Sequence, residues 1–290
     1  MNKTLKIIGV SLLVLMVAAY IVIDFAAEKF VKEQLDEFAA SNKQLGTLEY
    51  SDVDFSLLKL QLRINDIKAT PNNAKYPIQV DSLILKNFKP GATDVPEELA
   101  LYAKGLHIDA VALGPQGSQL LELGYNTLLA DIGIDYHYNS ETKELKINEL
   151  SYGAKDLGEV EMKLHLYDFD LSNLNLFSAL GRIPQINVQS ASFIYDDDSF
   201  FERTVKAAAT QERKKPSDII AEAAAKIDIE LAKAKNDFSR QVLMTLQQFI
   251  KDPKRITISA HPVEPVSIGT IQATDDPHDL LKLLNVKVSL

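Results

Sequence analysis

Hydrophobic and polar positions follow three rhythms along this chain, and each predicts a different kind of element. The first is an unbroken apolar run: Ile7 to Ile23 reads IIGVSLLVLMVAAYIVI, with Lys3 and Lys6 before it and Asp24 and Glu28 after it. At roughly 1.5 Å per residue this run makes about 26 Å of helix, and Leu5 and Phe25 to Ala27 extend it toward the ~30 Å hydrocarbon thickness of a bilayer. The pattern predicts a single-pass transmembrane anchor over 7–27. Because positive charge flanks only the N-terminal side, residues 1–6 become a cytoplasmic tail and the rest is delivered across the membrane. Val17-Ala18-Ala19 also reads as a passable signal-peptide cleavage site, so removal of the anchor stays open.

The second rhythm is helical. Phe30, Val31, Leu35 and Phe38 recur at helical spacing among Glu28, Lys29, Lys32, Glu33, Asp36 and Glu37, predicting a juxtamembrane helix within 28–46 that Gly46 stops. The same spacing returns from Ser199 to about Thr210. After the polar break Gln211 to Lys215 it runs again from Pro216 to about Lys251, where Asp252-Pro253 ends it. Ile220, Ile227, Leu231, Ala234, Phe238, Val242, Leu246 and Phe249 make one narrow stripe along a helix of about 54 Å. So long a helix must lie along a sheet or project as half of a helical hairpin. If it projects, Ile227, Leu231, Ala234, Phe238 and Val242 are the candidates for meeting a partner helix.

The third rhythm has period two and predicts strands with one apolar face. Leu48, Tyr50, Val53, Phe55, Leu58, Leu60, Leu62 and Ile64 alternate with polar residues, with a break near Ser56 and Leu57. Strands follow at 78–88 and 106–113, each closed by Gly and Pro punctuation, and a short helix at 118–123. Ile132, Ile134, Tyr136 and Tyr138 then open an antiparallel meander through Leu145 to Tyr152 and Val160 to Leu166. Further strands read at 186–195, 256–259, 266–271 and 286–288, with a short helix at 277–284.

The whole parses as an α+β protein: an N-terminal transmembrane helix, antiparallel amphipathic β-sheets and a long helical segment in the C-terminal half. Its regions are tail 1–6, anchor 7–27, juxtamembrane helix 28–46, β-rich region 47–195, helical excursion 196–252, and a C-terminal stretch of strands and a short helix at 253–290.

Composition narrows the function. Apolar residues make up 46% of the chain, enough for a real core, and there is no cysteine, so packing must suffice without disulfides or thiolate chemistry. The part after Ile23 carries 29 basic against 40 acidic residues, which argues against nucleic acid and against a surface that hugs anionic headgroups.

Candidate chemistry is sparse. His107, His137, His165, His261 and His278 are far apart, and no H-x-x-x-H or H-E-x-x-H pair occurs, so no metal is expected. Asp196-Asp197-Asp198 could gather a hard cation, but without the glycine and distal glutamate of a calcium loop the better reading is a turn that complements a helix N-terminus. There is no G-x-S-x-G elbow, and Gly114-Pro115-Gln116-Gly117 is a turn rather than a phosphate cradle. Arg213-Lys214-Lys215 reads as a solvated connector. No cofactor and no enzymatic activity are expected.

What remains is apolar alternation, and a sheet with an apolar face must bury it against helices, another sheet or a non-protein apolar partner. Phe55, Leu58, Leu60, Leu62, Ile64, Ile132, Ile134 and Tyr136 are the candidates for a lipid-facing surface.

The segment LEYSDVDFSLLKLQLRINDIKA at 48–69, after a single N-terminal span, resembles the opening of AsmA-like envelope proteins of Gram-negative bacteria. The stretch LLELGYNTLLADIGIDYHYNSETKELKINELSYGAKDLGEVEMKLHL at 120–166 looks like a strand meander of single-span proteobacterial inner-membrane proteins. The chain departs from the large AsmA-like members in its length and in the helices between 199 and 251. The resemblance implies a periplasmic β-rich body held at the inner membrane and concerned with lipid or protein homeostasis. The expected function is thus non-catalytic envelope maintenance in which the sheet face handles phospholipid. The alternatives are a protein-interaction or assembly module built on the long helix, with another envelope protein as partner, and more remotely a hydrolase.

Overall fold

A computed structural model describes residues 28–43, 46–56, 61–72, 77–91, 95–170, 181–234 and 236–290. The chain divides into two compact units, Met1–Asp135 and Tyr136–Leu290.

In the first unit, helix α1 (Glu28–Ser41) buries Leu35, and the Tyr50 hydroxyl donates to the Asp36 carboxylate at 2.7 Å, tying the helix to the turn between β1 (Gly46–Glu49) and β2 (Asp52–Ser56). Both short strands pair antiparallel with β3 (Gln61–Pro71), and β4 (Ile78–Lys89) and β5 (Glu98–Asp109) follow as antiparallel neighbours. Directly paired residues share a face. Phe55, Leu62, Leu85 and Leu101 therefore form one row, and Val53, Ile64, Leu83 and Ala103 the next. All of them except Phe55 are buried, so these rows are the core of this unit. A single 3-10 turn (Ala110–Leu113), helix α2 (Pro115–Glu122) and the first part of β6 (Thr127–Asn139) complete it.

In the second unit, β7 (Glu144–Ala154), β8 (Gly158–Tyr167), β9 (Asn187–Asp197), β10 (Arg255–Ala260) and β12 (Val286–Ser289) stand side by side in that order, all antiparallel. The short β11 (Val266–Ser267) pairs with the start of β9. Register sorts the side chains into two faces. Tyr152, Val160, Tyr195 and Ile256 align across the strands. So do Leu150, Met162, Phe193, Ile258 and Val288, and so do Ile147, Leu164, Ala191, Ala260 and Val286. The other face carries Ser151, Glu161, Ile194, Thr257 and Ser289, then Lys163, Ser192, Ser259 and Lys287. One side of this sheet is thus apolar and the other mainly polar, as period-two patterning requires.

Between β9 and β10 the chain leaves the sheet as three helices: α3 (Phe200–Glu212), α4 (Pro216–Lys233) and α5 (Asp237–Lys251). Asp197 launches α3, its Oδ1 accepting from the Phe201 N–H at 2.9 Å and from the Tyr195 hydroxyl. Arg213, in the left-handed region, ends α3, and Pro216 occupies the first turn of α4. Helix α5 returns along α4, with Gln247 Nε2 donating to Asp228 Oδ1 at 2.6 Å. Its Phe249 packs on Tyr195 and edge-on to Phe201, ring centroids 6.3 and 5.8 Å apart, which places the helix on the apolar face. Helices α6 (Ile268–Ala273) and α7 (Pro277–Leu283) fill the connection from β11 to β12.

The structure corrects five expectations. The anticipated α+β class behind a transmembrane helix gives way to a predominantly antiparallel β architecture. The anchor expected at 7–27 lies outside the described residues, and among those described no helix is long and apolar enough to cross a membrane. The single long helix over 216–251 is two helices: Ala234 leaves helical geometry and Asn236 caps a new start by accepting from the Ser239 N–H at 2.7 Å. The strand expected at 266–271 is only two residues long, because the Ser267 hydroxyl accepts from the Thr270 N–H and begins α6. The strand expected at 106–113 begins at Glu98 and stops at Asp109, whose carboxylate caps the 3-10 turn through the Val111 N–H.

Candidate apolar binding face

Of the residues expected to face lipid, Leu62 and Ile64 lie in the core of the first unit, and Phe55, paired with Leu62, is half-buried beside them. Ile132 and Ile134 of the first unit and Tyr136 of the second are half-buried on β6, and burial raises the Tyr136 phenol above its ordinary value. Leu58 and Leu60 fall outside the described residues. The partner-helix candidates are divided by the break: Ile227 and Leu231 ride on α4, Ala234 ends it, and Phe238 and Val242 ride on α5, all half-buried.

The second unit offers a different apolar surface. The row holding Tyr152, Val160, Tyr195 and Ile256 is roofed at Tyr195 by Phe249, and burial raises the Tyr152 phenol as well. One row further along the strands the cover thins. Leu150, Phe193 and Ile258 are 36%, 37% and 41% exposed, whereas Val288 at the end of their row is only 6% exposed. Beside this row Ala191 and Ala260 sit directly opposite each other, both half-buried, and two such small side chains leave a shallow floor next to the bulk of Phe193 and Ile258. Each of these residues belongs to a strand for the same reason, β-branched or large apolar alternation. What brings them into one row is pairing register, which no single segment encodes.

The charged constellations are spent on structure. Arg255 clasps Asp196 through two bonds, Nε to Oδ1 at 2.6 Å and Nη2 to Oδ2 at 2.8 Å. Asp197 starts α3, and Asp198 accepts from the Asp156 N–H at 2.9 Å, so the three neighbouring carboxylates serve three separate partners. His107 contacts Asp81 at 3.0 Å and His165 contacts Glu144 at 2.6 Å, on different strands in different units. Among the described residues no three histidine or carboxylate side chains gather as a metal site.

A family model described only as an uncharacterized protein matches residues 151–290, the stretch that holds most of this sheet and its helices. An uncharacterized protein of Aquifex aeolicus (strain VF5) is 25% identical over 303 aligned positions, covering 98% of each chain. The chain is therefore similar over its whole length to a protein of like size.

Proposed function

We propose that this protein is a non-catalytic module that handles lipid on an apolar sheet face. The observation that carries the reading is the row holding Leu150, Phe193 and Ile258, each of them more than a third exposed on an apolar face whose flanking rows are half-buried. Covering such positions with hydrocarbon gains roughly 25 cal/mol per Å² and asks for no reactive group. Lipid mass spectrometry on solvent extracts of the purified full-length chain tests it. Stoichiometric acyl lipid is the expected result, and a lipid-free protein that takes up none from vesicles contradicts it.

A second reading, an assembly module, is favoured by one specific feature. Ile229 on α4 and Met244 on α5 are 54% and 48% exposed, more open than any position of the stripe expected for a partner helix. If a partner docks there, Ile229→Asp together with Met244→Asp abolishes a complex isolated by crosslinking from the native host while leaving bound lipid unchanged.

A further inference from the structure

We infer that α4 is a hinged strap: it lifts off α3 and α5 as one unit while those helices and the sheet stay folded, and in lifting it bares an apolar stripe. The inference is independent of the lipid-handling reading. Three observations carry it.

The first is burial. Helix α4 buries none of its 18 residues, whereas α3 buries Val205 and Ala209 and α5 buries Thr245 and Phe249. Phe201 of α3 meets Phe249 of α5, and Phe249 meets Tyr195, so these two helices are chained to β9 through their rings. On α4 the less exposed residues recur at helical spacing along one side, at Ile220, Ala223, Ala224, Ile227 and Leu231, and even these are only half-buried. Segments that bury little apolar surface open at lower cost than those that bury much, so α4 opens ahead of its neighbours.

The second is the joints. Helix α3 closes on itself: with Arg213 at φ +56°, the Arg213 N–H donates to the Thr210 carbonyl at 3.3 Å and the Lys214 N–H to the Ala209 carbonyl at 2.9 Å. Lys215 is then extended, at φ −83° and ψ 150°. At the other end Ala234 turns to ψ 117°, and Asn236 starts α5 with its own cap. Both neighbours therefore have finished termini that do not draw on α4. Rotation at these two joints moves α4 without breaking a backbone hydrogen bond of α3 or α5.

The third is the ties and the sequence. Gln247 Nε2 donates to Asp228 Oδ1 at 2.6 Å, and Lys214 Nζ donates to Glu222 Oε2 at 2.9 Å. Both bonds are exposed, and water replaces such bonds at small cost. Helix α4 is rich in alanine, at Ala221, Ala223, Ala224, Ala225 and Ala232, and Lys233 pairs with Glu230 at 2.9 Å. These features favour helix in the absence of packing. The lifted segment thus displays Ile220, Ile227 and Leu231 along one side of a helix, a stripe that the closed form partly hides.

Hydrogen exchange of the full-length chain, read peptide by peptide by mass spectrometry, tests the strap. Amides of 218–233 are expected to exchange at least about 100-fold faster than those of α5 and β9. The chain has no cysteine, so Asp228→Cys with Gln247→Cys can be joined specifically by a short bismaleimide. The bridge should slow exchange in α4 by about tenfold or more relative to the same variant unbridged, with α3 and α5 unchanged. Should the bridge not close, Leu231→Ala reads the opposite sign: exchange in α4 about tenfold faster, with α5 and β9 as in the parent.

Exchange of α3, α4 and α5 at one common rate overturns the strap. So does a bridge or a truncation that moves all three helices together.

Discussion

Phe193 and Ile258 face each other across β9 and β10, both pointing to the apolar side of the sheet and both more than a third exposed. Their neighbours two residues along the same strands, Tyr195 and Ile256, form the adjacent row, and Tyr195 lies beneath Phe249. Within about 7 Å along one strand the same face passes from roofed to open. The two halves should respond differently to truncation.

Phe249→Ala removes a buried ring that holds α5 to both Tyr195 and Phe201. It is expected to cost about 3–5 kcal/mol. Phe193→Ala removes a ring already partly in water and is expected to cost about 1–2 kcal/mol. Urea unfolding of both variants followed by far-ultraviolet circular dichroism checks the difference, and equal losses would mean that the open row is packed as tightly as the covered one.

The Asn236 side chain caps the start of α5 by accepting from the Ser239 N–H. Asn236→Ala should cost about 1 kcal/mol, and Asn236→Asp should be nearly neutral, because aspartate caps equally well and favours the positive end of the helix. Thermal unfolding of the pair distinguishes loss of the cap from loss of bulk.

Gly158 opens β8 at φ +135°, and a Cβ there would stand 2.4 Å from the Asp196 carbonyl oxygen. Alanine meets both an unfavourable backbone region and a collision with the neighbouring strand. Gly158→Ala is expected to destabilise the second unit by about 1–3 kcal/mol, and faster amide hydrogen exchange at the paired ends of β8 and β9 would locate the damage.

Tyr50 supplies a pH dependence. Burial first, then the hydrogen bond to Asp36 and the negative charge of that carboxylate, push its phenol from 10.0 to about 12. The folded state therefore holds the proton more tightly than the unfolded chain does. The contribution is complete below pH 10 and is lost as pH rises through 12. Tyr50→Phe should lower stability at neutral pH and flatten the decline between pH 10 and 12, leaving the part due to Tyr136 and Tyr152, whose phenols burial also raises. Denaturant midpoints of variant and parent across that range provide the check.

Local pattern was enough for the strand from Ile78 and for the meander from Ile132 to Leu166, because alternation and turn residues act within a segment, but it missed the first part of β5 from Glu98 to Gly105. It misjudged 216–251, where the helical i+3 and i+4 spacing of Leu231, Ala234, Phe238 and Val242 continues straight through a break made by Ala234 and the capping side chain of Asn236. It likewise read Val266 to Ile271 as strand, although the Ser267 hydroxyl redirects the backbone after two residues. For the candidate face, alternation identified Leu150, Met162 and Phe193 as apolar positions, yet Leu62 and Ile64 carry the same signal and are core. Exposure is decided by which helix lies over which row, and Phe249 reaches Tyr195 from more than fifty residues away. Long-range cover of this kind leaves no periodic trace in either segment.

The most direct test of the central claim is native mass spectrometry of the full-length chain, parent against Phe193→Ala, after incubation with phospholipid vesicles. The account requires a lipid adduct in the parent that is depleted in the variant. An adduct of equal abundance in both, or none in either, would contradict it.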